Sequence, residues 1–200
     1  MRSLACVLPA VLLFAGMSSG ETAPDPASAG PESAALSYFY GDYAKKNLLA
    51  AADAMPESGY SFRPVDSVRT FGEILAHIAD TQYLFCSSAK GEQNPHPGAE
   101  GPGRSTSASY EKTAKTRAEI RRALAESFAY CDGVFAGLRD ANLAEGRKLI
   151  GNDRTLALVS TLAVVHLSEH YGQVTVYLRM KGLVPPSSQP GPEAARSGGE

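Results

Sequence analysis

The run spanning residues 154–181 constrains this chain more than any other stretch. Within it Leu156, Val159, Ala163, His166, His170, Gln173 and Tyr177 are separated alternately by three and four residues, the spacing of a helix seam that packs against other helices. His166 and His170 share that inward face, one turn apart. Two imidazoles facing a core need polar partners, because an unpaired buried polar group costs about 1–3 kcal/mol. A metal ion would satisfy both together. Hydroxyls and water around ordinary core histidines would do so as well, and the pair alone does not choose. It is half a metal site, and a third ligand has to come from another segment.

Three further helices are readable. The first spans about 33–55, with Leu36, Phe39, Tyr40, Tyr43, Leu48, Ala51 and Ala52 at helical spacing and Pro56 as its stop. Gly41 inside it costs about 1 kcal/mol in propensity and suggests a close contact. After a loop at 56–66, Thr70-Phe71-Gly72-Glu73 forms a capping box, so a second helix starts near Ser67 or Thr70. Its apolar positions are Phe71, Ile74, Leu75, Ile78, Leu84 and Phe85, and Gly91 ends it. His77 stands at the margin of this stripe and is the third histidine candidate. Thr116-Arg117-Ala118-Glu119, a second capping box, opens a third helix through Ile120, Leu124, Phe128, Cys131, Phe135 and Leu138. Residues 141–153 read as a loop, and Gly182 with Pro185-Pro186 closes the fourth helix. No segment carries a strand pattern worth defending, so the expected class is all-α, a four-helix bundle.

Between the second and third helices, residues 91–115 are rich in Gly, Pro, Ser and Asn. So long a connection in a compact domain implies a functional loop or a crossover between helices that are not antiparallel neighbours. His96 lies there between Pro95 and Pro97 and reads as a solvated residue of an extended, mobile segment.

The ends of the chain read differently. Arg2, the short apolar core from Leu4 to Ala15 and the small residues Ser18-Ser19-Gly20 have the order of a secretory signal peptide over 1–20. That core is too short for an uncleaved anchor, which needs about 20 apolar residues, so an exported protein, periplasmic or secreted, without a membrane anchor is expected. Residues 21–33 form a flexible lead-in, 34–184 the bundle, and 185–200 a tail with nothing to bury, expected to be disordered. Export would leave Cys86 and Cys131 in an oxidising compartment, where they either pair or sit as small buried hydrophobes, the commoner fate of a free cysteine. The 44% hydrophobic fraction suffices for a core, and the net charge of -2 gives no sign of a polyanion partner. No basic stripe carries interleaved aromatics, which argues against nucleic-acid binding.

His77, His166 and His170 together would supply three neutral nitrogen ligands from facing helices and leave a coordination position open. Imidazole suits zinc, nickel, iron or copper, so the ligand set does not name the metal. Arg63-Pro64, the stretch from Phe71 to Ala79 with its Gly-Glu-x-x-x-His pattern, His166-x-x-x-His170-x-x-Gln173 and the run on to Gly182 resemble the DinB-like (DinB/YfiT-like) family of four-helix bundles over about 34–184. The resemblance implies an up-down-down-up bundle, in which residues 91–115 cross between parallel helices. It also implies a divalent metal held by His77, His166 and His170, as in a metal-dependent hydrolase or transferase acting on a small molecule. Glu73 and Glu169 are candidate partners of the ligands, although Glu73 fits its capping box and Glu169 a solvated face; Gln173 could bond a ligand or backbone. A non-catalytic metal- or ligand-binding bundle, as a single chain or a homodimer, is the competing reading, since no general base, phosphate loop or nucleophile elbow is legible.

Overall fold

A computed structural model describes residues 29–101 and 104–190. The expected signal peptide, most of the lead-in and the end of the tail lie outside the described residues. The first helical run is α1 (Pro31–Tyr38), a π-helical stretch (Phe39–Lys45) and α2 (Lys46–Ala54). It begins at Pro31, inside the expected lead-in, because Gly30 and Ser33 cap it and Asp140 accepts from the Ser33 N–H at 2.8 Å. Gly41 falls in the π stretch, and a side chain there would meet nothing, so it marks a change of helix type instead of the expected close contact.

The other long helices are α3 (Phe71–Lys90), α5 (Arg117–Ala136) and α6 (Leu156–Met180), with a short α4 (Tyr110–Thr113) between α3 and α5. Both capping boxes form: Thr70 with Glu73 at the start of α3, Thr116 with Glu119 at the start of α5. Each returns side-chain oxygens to free backbone N–H groups, which fixes where the helix begins. Gly91, at φ 72°, ends α3.

Contacts along the helices give their directions. Gly72 abuts Ile120 near the starts of α3 and α5, and Cys86 is bridged to Cys131 near their ends, so these two run parallel. Phe85 meets His166, His77 meets His170, and the Tyr177 hydroxyl donates to the Arg69 carbonyl at 2.6 Å, so α3 and α6 run antiparallel. Ser37 reaches Phe135, Lys45 pairs with Asp132, and Asp53 pairs with Arg121, so the first run is antiparallel to α5. The core between them holds Leu48, Met55, Phe71, Leu75, Leu124, Phe128, Leu167 and Leu178. Burying each such side chain contributes about 1.5–3 kcal/mol. Among the described residues no helix is long and apolar enough to cross a membrane.

Three further expectations are corrected. Two antiparallel hairpins occur where none was expected: β1 (Ala99–Gly101) with β2 (Arg104–Ser105) in the crossover, and β3 (Gly146–Leu149) with β4 (Asn152–Thr155) before α6. Their strands are too short to show an alternating pattern, and β4 is exposed throughout. Cys86 and Cys131, read as more often free, form a disulfide with Cα atoms 5.4 Å apart; the parallel pairing of α3 and α5 that brings them together is a tertiary fact. Finally, the first residues of the expected tail are packed. Pro185 is buried, and Ser187 exchanges hydrogen bonds with the Tyr171 hydroxyl.

Candidate metal centre

The start of α3 sets the first ligand candidate. Loop carbonyls of Phe62 and Tyr60 accept from the N–H groups of Phe71 and Gly72, both at 2.9 Å. A Cβ on Gly72 would lie 2.9 Å from Ile120 and 3.1 Å from the Tyr60 carbonyl, so only glycine lets the loop and α5 approach this closely. Two turns from the cap, His77 is 6% exposed and faces α6. On α6, His170 is equally buried, His166 is half-buried, and the rings of the three histidines lie with centroids 4.3–5.2 Å apart. The structure thus brings together all three histidines expected as metal ligands. One ring nitrogen from each lies within 4.8 Å of the others, an arrangement able to hold a metal ion.

The partners favour one tautomer for each ring on α6. His170 Nδ1 lies 3.0 Å from the Gln173 Oε1 acceptor, so Nδ1 carries the proton and Nε2 is bare. Thr81 spends its hydroxyl proton on the carbonyls of His77 and Ile78, at 2.9 and 3.1 Å. Its oxygen then serves as an acceptor for His166 Nδ1 at 3.4 Å, and in that tautomer Nε2 of His166 is bare as well. These two Nε2 atoms are 3.1 Å apart. Bare lone pairs facing at that distance repel, whereas two nitrogens bound to one tetrahedral zinc at about 2.0–2.1 Å are about 3.3 Å apart. Burial, with His170 and His77 alongside, pushes His166 down to about 3, and burial also lowers His170, so neither ring resolves the conflict by taking a proton at neutral pH. His77 Nδ1 is buried without a hydrogen-bond partner. The donor set fits a divalent cation.

Sequence reasoning missed the carboxylate beside His77. Glu73 is spent on its capping box and on Arg63, 3.5 Å away, the plainer role expected of it, whereas Glu169 is exposed and lines the cavity beside the rings. Instead Glu111, on α4, places Oε2 3.7 Å from His77 Nδ1 and accepts from Arg69 Nε at 2.9 Å. Burial raises the Glu111 carboxyl, but His77 and Arg69 outweigh it and hold it down at about 2. Asp80 positions α4. Fully buried, it accepts from Ser109 Oγ at 2.5 Å and from the N–H groups of Tyr110 and Glu111 at 3.0 and 3.4 Å. His96 completes that cluster, 3.1 Å from Asp80 and stacked on Tyr110, which corrects its reading as a solvated, mobile residue. It takes no part in the three-histidine group.

A cavity of about 340 Å³ opens beside the three rings, walled by Leu84, Phe85, Leu149, Ile150 and Leu162, with Arg69 and Glu169 as its charged groups. A larger cleft of about 690 Å³ lies by Arg63, Arg69, Glu111 and Gln173, but no histidine lines it. The smaller one is where a ligand could meet the ring nitrogens.

Residues 41–174 match the sequence model of the DinB superfamily. Two solved structures share the fold: a DinB-like protein from Bacillus cereus ATCC 10987, at TM-score 0.55 and 16% identity over 72% of this chain and 90% of that one, and the DinB-like protein YjoA from Bacillus subtilis, at TM-score 0.56 and 18% identity over 78% and 98%. No curated protein matches. With a family match running from the first helix through both histidines of α6, the chain belongs to the DinB superfamily.

Proposed function

We propose that this chain is an exported metal-dependent enzyme, a hydrolase or transferase for a small molecule, with a divalent ion held by His77, His166 and His170. The carrying observation is the convergence of three ring nitrogens within 4.8 Å of one another, 3.1 Å apart in one pair, beside an open cavity. We read the long helices as a four-helix bundle of up-down-down-up order, supported by the parallel α3 and α5 and the antiparallel α3 and α6. The apolar run at residues 4–15 and the buried disulfide support export.

When bound, the ion would supply a Lewis acid and activate a water or thiol near neutral pH. The chain's own residues do the rest. Gln173 holds the proton on His170 Nδ1, Thr81 does the same for His166, and the Glu111 carboxylate faces His77 Nδ1. Such outer partners orient a ligand ring and raise its basicity. Leu84, Phe85 and Leu162 keep the cavity walls apolar, which strengthens electrostatic interactions inside.

Protein purified without a histidine tag or chelator should carry one divalent ion per chain by elemental analysis. His77→Ala should lose it while its far-UV circular dichroism stays helical. Metal-free wild-type protein that refuses zinc, nickel and iron would sink the proposal, and full occupancy in His77→Ala would remove His77 from the site.

A further inference from the structure

One wall of the cavity beside the histidines is built at a conformational cost that metal binding does not require. Leu149 pairs with Asn152, so Ile150 and Gly151 form a two-residue turn, and both have positive φ, 51° and 76°. These are the signs of a type I′ turn, which favours Asn-Gly because a β-branched side chain in the left-handed region crowds the neighbouring carbonyl. Among the described residues Ile150 is the one non-glycine with positive φ. Its side chain is 44% exposed, so core packing does not account for it. It lines the cavity instead, together with Leu149, Leu162 and Phe85.

The hairpin that carries it is fixed. Ser88 Oγ donates to the Lys148 carbonyl and Arg147 Nε to the Ala89 carbonyl, each at 2.6 Å, which ties β3 to the end of α3. The N–H groups of Leu156 and Ala157 donate to the carbonyls of Glu145 and Leu143 at 2.8 and 2.9 Å, which ties its base to α6. A turn so anchored would close more easily with asparagine or glycine. Strain of this kind persists where the surroundings over-determine it, and it clusters at ligand sites.

We infer that this wall is the specificity surface of the site. The ligand it fits pairs a metal-binding head with an aliphatic or aromatic body, and the body lies against Ile150, Leu162 and Phe85. This rests on the metal-centre reading above and names the substrate class for it. The volume of about 340 Å³ suits a small molecule, and Arg69, one of the two charged groups on the lining, is already paired with Glu111.

The test loads the full chain with cobalt(II) and titrates it with hydroxamates from acetohydroxamate to octanohydroxamate, followed by cobalt absorption and calorimetry. In the wild type, affinity should rise about fourfold per methylene until the wall is covered. Ile150→Asn gives the turn its favoured dipeptide. It should raise Tm, leave cobalt affinity within about twofold and cut the gain to about twofold per methylene or less. A cobalt-loaded wild type with no dependence on chain length, an unchanged dependence in Ile150→Asn, or a lower Tm in that variant would each overturn the inference. Failure of the wild type to bind cobalt would overturn the metal-centre reading and this inference with it.

Discussion

Asp80 and His77 lie three residues apart on α3, at 0% and 6% exposure, yet their surroundings are opposite. Around Asp80 the acceptors are used: Ser109, His96 and the N–H groups of Tyr110 and Glu111 all point at one carboxylate. Around His77 the partners run short, with the Glu111 carboxylate 3.7 Å from its Nδ1, beyond hydrogen-bond distance, and the Nε2 atoms of His166 and His170 3.1 Å apart. A buried polar cluster that serves the fold satisfies itself, because every unpaired member costs stability. One that leaves lone pairs converging is incomplete without something that accepts them.

The largest expected effect breaks the first cluster. Asp80→Ala strands its buried donors and should cost about 3–5 kcal/mol, a drop in Tm of about 6–20 °C for a domain of this size. A loss below about 1 kcal/mol would show that Asp80 does not hold the crossover. A smaller effect probes the second cluster in metal-free protein. Unfolded histidines titrate near 6.5, whereas His166 in the fold is pushed down to about 3. Below 6.5 the unfolded chain takes a proton that the folded chain refuses, so stability is full above that pH and falls with acid by at most about 1.4 kcal/mol per unit for one group. From pH 7.5 to 5 the loss should be about 2 kcal/mol in urea titrations, and a flat profile would mean that the ring is not desolvated. Smallest is the link between the rings and their supports. Gln173→Ala should weaken metal affinity about tenfold against a chromophoric chelator without loss of helicity; unchanged affinity would mean that something else orients His170.

What was legible in the sequence was local. The capping boxes at Thr70 and Thr116 announce α3 and α5 because cap, helix start and partner lie within four residues. The histidines were legible because the i, i+4 spacing of His166 and His170 fixes their face, and His77 follows from the stripe of its own helix. What was not legible arrives from a distance. Glu111 reaches His77 only because Asp80 anchors α4, and Asp80 itself resembles any polar residue in a helix. The β3–β4 hairpin stayed hidden because its turn has isoleucine where the left-handed region calls for asparagine or glycine, so the usual sequence signal is missing. Leu84 and Phe85, read as apolar positions of the helix stripe, are half-buried because they wall the cavity.

The bridge between Cys86 and Cys131 has a consequence for the integrity of the chain. With a sequence separation of 45, it closes a covalent ring around the end of α3, the crossover with Glu111 and most of α5. In the chain-entropy account such a closure stabilises the fold by about 4 kcal/mol. A single backbone cut within that ring would leave two fragments on one molecule, with His77 in one and His166 and His170 in the other. The nick would show on a denaturing gel only after reduction, and a protease that attacks the crossover would not by itself let the three histidines drift apart.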